Sequence, residues 1–151
     1  MNVDKNKIEK IMKLVIEEVN LAIKEGNSPF AAFLLDMEGN IIYKAHNTSN
    51  SDIDPTAHAE INLIRTACKD LNTKNLSNYI LISNAWSCSM CMSASIKARI
   101  TNYVFGTNSE PDMNPNVTIY DIADKTKQSL NIITGILDDE CKKQIDEARK
   151  M

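Results

Sequence analysis

Two short stretches hold the residue types that could do chemistry together: His58-Ala59-Glu60 and Cys88-Ser89-Met90-Cys91. Sulfurs three residues apart lie on one face of a helical turn and can grip a single ion. The imidazole of His58 can supply a third ligand if a helix starts nearby. An N/S/S set leaves the fourth tetrahedral position to water, which marks a catalytic zinc rather than a structural one, and zinc brings the pKa of such a water toward neutrality. Glu60, two residues beyond the candidate histidine, is placed to take a proton from that water and pass it on. A lone C-x-x-C also serves redox chemistry, but a redox pair has no need of His58-Ala59-Glu60. A structural zinc would need a fourth ligand. The one other histidine, His46, is expected at the surface near the end of a strand, and Cys68 and Cys141 read as small packing residues on helices.

The elements that must position these motifs can be read from spacing. Ile8, Ile11, Met12, Val15, Val19, Ala22 and Ile23 recur with helical period over residues 4–24, and Gly26-Asn27-Ser28-Pro29 ends that helix. Apolar runs at 30–35 and 41–43 flank Met37-Glu38-Gly39-Asn40 and predict a hairpin. Asp54-Pro55-Thr56 opens a second helix running to about Ala67, with Thr56 as its expected cap and Glu60 in an early turn. A strand at 79–83, a helix at 87–99 and a strand at 103–106 follow. The last third holds a short helix at 118–124, a weaker strand at 131–133 and a final helix at 137–150. Both motifs thus fall at helix N-termini, where the positive end of the dipole favours thiolates. Strands alternating with helices after a hairpin predict a mixed sheet covered on both faces, a three-layer α/β/α sandwich.

A length of 151 residues, 43% hydrophobic and 25% charged, suits one globular domain over residues 1–151. No apolar block marks a signal peptide and no apolar run could span a bilayer, so a cytoplasmic location with reduced cysteines is expected. A net charge of −3 argues against a nucleic-acid surface and favours a small-molecule substrate.

In this order, H-x-E followed by C-x-x-C resembles the signature of zinc deaminases that act on nucleobases. The chain from Ser28 to Ala148 is similar to the cytidine deaminase-like superfamily, in the branch of guanine, cytosine and tRNA adenosine deaminases. Ser28-Pro29-Phe30-Ala31-Ala32 resembles that branch's approach to its first strand, and Asp54-Pro55-Thr56-Ala57-His58-Ala59-Glu60-Ile61-Asn62 its helix-opening motif. The resemblance implies a five-stranded sheet, Zn2+ on His58, Cys88 and Cys91, catalysis by Glu60, and a homodimer. It also implies a substrate-binding asparagine eleven positions before the zinc histidine, which is Asn47, with further substrate contacts from Phe30, Ala59, Trp86 and Ser87.

Two departures bear on specificity. Trp86-Ser87 stand where the branch has Glu-Pro, so either a base meets a stacking ring rather than a carboxylate or Trp86 fills a gap in the core, while Ser87 could still cap the helix. Ala31 replaces a common glycine and is expected to narrow the same region. The segment 108–116, with its two prolines, is the expected substrate lid. Gly135-Ile136-Leu137-Asp138-Asp139-Glu140-Cys141 resembles the tail of tRNA adenosine deaminases, yet Lys142, Lys143, Arg149 and Lys150 alternate with acids and read as a solvated face. The resemblance therefore implies hydrolytic deamination of a nucleobase or nucleoside, first a free purine such as guanine, with cytosine or tRNA adenosine as alternatives. From another class, a non-catalytic zinc module serving a partner surface is the rival; the presence of Glu60, which such a site does not need, counts against it.

Overall fold

The computed structural model describes residues 1–109, 114 and 116–151. Helix α1 (Lys5–Lys24) buries Ile8, Ile11, Met12, Val15, Val19 and Ala22 along one face, and its N-terminus is capped by the Asp4 carboxylate, which accepts from the Lys7 N–H at 2.8 Å. The chain reverses through Gly26, whose φ of +82° suits a residue without a Cβ. Strands β1 (Ala31–Asp36) and β2 (Ile41–His46) form the expected hairpin, with an irregularity in register between Leu34 and Leu35. Then come α2 (Ala59–Leu71), β3 (Tyr79–Ala85), α3 (Ser89–Lys97), β4 (Asn102–Thr107), α4 (Ile119–Lys125), β5 (Asn131–Ile133) and α5 (Asp138–Arg149).

The five strands lie in the order β2-β1-β3-β4-β5. β1 runs antiparallel to both neighbours, and β3, β4 and β5 run parallel. Alternate residues of each central strand go to opposite faces. Ala31, Phe33, Leu35, Ile80, Ile82 and Val104 pack with α1 and with Cys141 of α5. Ala32, Leu34, Leu81, Tyr103 and Phe105 pack with Leu63 of α2, Met92 of α3 and Ile119 of α4. Both faces are covered, which is why these strands are apolar throughout. The fold is the mixed three-layer α/β/α sandwich. Cys141 is fully buried and Cys68 packs against the second cluster, as packing residues should.

Three expectations, two about helix caps and one about His46, are corrected first. Thr56 does not cap α2: it is folded onto Asp54, whose Oδ1 accepts from its N–H at 2.8 Å and its hydroxyl at 2.7 Å, and His58 is the N-cap. Ser87 does not cap α3, whose N-cap is Cys88. His46 is not a surface histidine. Its side chain is 17% exposed, with Nδ1 2.7 Å from Glu18 and Nε2 2.8 Å from Glu25, so β2 is clamped to the end of α1. Sequence periodicity missed this because both glutamates lie more than twenty residues away along the chain.

The ends of β1 and β3 are locked where they approach the motif helices. The Asn84 side chain accepts from the Ala31 N–H and donates to the Pro29 carbonyl, both at 3.0 Å, and Ser83 Oγ donates to the Ala31 carbonyl at 2.9 Å. Gly106 on β4 lies so close that any side chain there would strike the Asn84 carbonyl and the Cys141 sulfur. The Ala31 methyl belongs to the first core cluster, beside α1, so it does not narrow the site as expected.

Candidate active site

The N-cap residues of α2 and α3 are His58 and Cys88, and neither side chain makes a capping hydrogen bond. Both instead converge with Cys91, in the first turn of α3, so that all three donor atoms lie within 4.8 Å of one another. His58 Nδ1 is 3.5 Å from the sulfurs of both Cys88 and Cys91. A tetrahedral zinc with ordinary Zn–N and Zn–S lengths requires about 3.6 Å between such donors. The set fits zinc. The Cys91 thiol, hydrogen-bonded to Cys88, brings the Cys88 pKa down to about 5 against the effect of burial, with His58 adding to the shift. The same contact, together with burial, pushes Cys91 up. The shift of Cys88 is toward the thiolate that zinc requires, and the dipole at a helix N-terminus favours the same form.

Glu60 follows two residues after His58 in the first turn of α2 and is 5% exposed. Burial raises its carboxyl pKa, and the Ser87 hydroxyl opposes this by donating to Oε2 at 2.8 Å. A buried carboxyl held ready for protonation beside three metal-binding donors is equipped for proton transfer.

A cavity of about 300 Å³ opens onto this group, lined among others by Asn47, His58, Glu60, Trp86, Ser87 and Cys88. Asn47 is buried, and its Oδ1 accepts from the backbone N–H of Ser49 at 2.9 Å and from its hydroxyl at 2.8 Å. That closes the turn and leaves Nδ2 as the donor directed elsewhere. Phe30 also lines the cavity, with the Arg149 guanidinium 5.9 Å from its ring centre. Trp86 both lines the cavity and packs against the second core cluster, meeting Tyr120 edge-on at 5.4 Å. Ala59 is not part of the lining; its methyl lies in the second core cluster.

Arg149 was missed by the sequence reading, which assigned it to a solvated face; it comes from the last turn of α5 and reaches the cavity. The remaining basic positions of that helix fit the expectation better, as with Lys142, which pairs with Asp146 four residues on at 2.8 Å. Of the expected lid, Asn108, Ser109 and Asn114 line the cavity, while residues 110–113 and 115 lie outside the described residues. Among the described residues no helix is long and apolar enough to cross a membrane.

Residues 5–107 match the family model for the cytidine and deoxycytidylate deaminase zinc-binding region. A tRNA-specific adenosine deaminase of Haemophilus influenzae is 32% identical over 138 residues, spanning 91% of this chain and 80% of that protein. A guanine deaminase of Bacillus subtilis is 37% identical over 92 residues, 61% of this chain and 56% of that protein. Among solved structures, one from a study of tRNA:A34 deaminases that edit the wobble position superposes with a TM-score of 0.79 at 26% identity, covering 88% of this chain and 96% of that one. The guanine deaminase of Nitrosomonas europaea shares the fold, with a TM-score of 0.81 at 24% identity over 95% of this chain and 85% of its own.

Proposed function

The chain belongs to the cytidine and deoxycytidylate deaminase zinc-binding family and is a zinc-dependent hydrolytic deaminase, and from that premise we propose that it removes the exocyclic amino group of a purine base offered as a free base or nucleoside. The observation that carries this reading is the cavity itself, of about 300 Å³, whose lining brings Asn47, Glu60 and Trp86 together with His58 and Cys88, two of the three metal-binding donors. That is the lower end of the range for small-molecule pockets and suits one ring system with a modest substituent.

Zinc held by His58, Cys88 and Cys91 would supply a water acidic enough to lose its proton near neutral pH. In our reading Glu60 accepts that proton and delivers it to the ring nitrogen as the water oxygen bonds to the amino-bearing carbon; it then carries the remaining proton of the added oxygen to the amino group, whose bond to that carbon breaks. The balance is one water consumed and one ammonia released. Asn47 Nδ2 donates to an acceptor on the base edge, since Oδ1 is already held by Ser49. Phe30 and Trp86 offer apolar faces to the ring, and the backbone N–H beside Cys88 is a second donor to its edge. Any contact from Ala59 comes from its backbone, because its side chain is packed in the core.

A second reading has its own support. Relatives named as tRNA-specific adenosine deaminases align over most of this chain, and an arginine stands at the cavity wall. Against it stands the net charge of −3. Turnover of guanine, cytosine and an adenosine-bearing stem-loop at low and high salt separates the two. We expect a free base or nucleoside to react with little salt dependence. Reaction of the stem-loop alone, lost steeply as salt is added, would transfer the assignment to tRNA, because each phosphate contact releases counterions.

A further inference from the structure

We propose that Ser87 is the positioning residue for Glu60, holding its carboxylate in the orientation that proton transfer requires. This rests on the reading of Glu60 given above. The Ser87 hydroxyl and Glu60 Oε2 are 2.8 Å apart, both residues are nearly inaccessible, and they come from different elements, the β3–α3 junction and the first turn of α2. An ionised carboxylate can only accept, so the hydroxyl is the donor. The bond ties one end of the carboxylate to the start of α3, so that the carboxylate is held to one orientation through the cycle.

The arrangement depends on the departure from the deaminase motif already noted at this position. Proline, the residue expected there, has neither a hydroxyl nor an N–H to offer. Nor does the serine serve α3 as a cap, a place taken by Cys88. A hydrogen bond to a charged group is among the stronger ones, and inside a cavity it acts where a slack carboxylate would spend time in unproductive orientations.

The test compares wild type with Ser87→Ala, Ser87→Thr, Glu60→Ala and the double variant Ser87→Ala/Glu60→Ala, on whichever of guanine or the adenosine stem-loop turns over. Ser87→Ala should keep its zinc and its KM while kcat falls about tenfold or more, the range for losing a hydrogen bond to a charged group. Ser87→Thr should recover most of that loss. In the Glu60→Ala background Ser87→Ala should cost no further rate, and the unfolding free energies of the four proteins should be non-additive, which reads the bond without reference to activity. Wild-type kcat in Ser87→Ala beside an inactive Glu60→Ala overturns the positioning role and leaves Glu60 standing. An active Glu60→Ala removes the assignment of Glu60 first. If the threonine methyl does not fit, additive unfolding energies alone overturn the proposal.

Discussion

At the scale of single residues, the site separates holding an ion from moving a proton. His58 and Cys88 are N-caps whose side chains make no capping bond, and Cys91 lies in the first turn of α3. Removing a ligand and removing the carboxylate should therefore have different consequences. Cys91→Ala should lose zinc and unfold at lower temperature, because a bound metal contributes to folding. Glu60→Gln is nearly isosteric and should keep about one zinc per chain. It should lose at least about a hundredfold in rate, the low end for general acid–base catalysis. Metal analysis and turnover on the two purified variants check this pair. Full zinc occupancy in Cys91→Ala would mean the ligand set is wrong. These residues were legible from sequence because each motif is local: two or three positions on one turn suffice to write it. The hydroxyl of Ser87 was not, since its partner lies 27 residues away and a serine before a helix reads first as a cap.

At the scale of elements, periodicity gave the helices and strands well because most buried positions follow one face of α1 or alternate along β1, β3 and β4. Tertiary pairing of polar groups leaves no such trace. The clamp between α1 and β2 is the clearest case, and it has a pH signature. Burial alone would lower the His46 pKa, but hydrogen bonds to Glu18 and Glu25, with the charges behind them, outweigh it and leave the pKa above its ordinary 6.5. A group whose pKa is raised on folding contributes stability that is complete below its unfolded value and is lost as pH rises through the folded value. His46→Gln should thus be destabilised by about 1 kcal/mol at about pH 5.5, a figure kept low because Glu25 is half exposed, and by less at about pH 9. Thermal or urea unfolding of both proteins at the two pH values measures it. A deficit that stays constant or grows with pH would show that the clamp is not charged.

At the scale of the whole molecule, the resemblance to small deaminases leads us to expect a homodimer. The surface offers apolar exposure in keeping with this: Val117 and Tyr120 are both 43% exposed, and a groove between α3 and α4 is lined by Ser93, Ile96, Val117 and Ile122. Sedimentation at micromolar concentration should give twice the 16.9 kDa chain mass. A fully active monomer would contradict it. The reach of Arg149 into the cavity also belongs to this scale, because the last turn of α5 joins a lining otherwise built by residues 28–119. No local pattern in a helix of mixed charge could announce that.

The distribution of the site along the chain sets an order in time. The three metal-binding donors His58, Cys88 and Cys91, with Glu60, lie between residues 58 and 91, whereas Arg149 follows Cys91 by 58 residues. At ordinary rates of synthesis that interval is about 3 to 12 seconds. A nascent chain stalled at α4 already carries these three donors, while the side chain that flanks Phe30 at the cavity wall has yet to be made. The protein is written so that its ion can be gathered first and its substrate wall completed last.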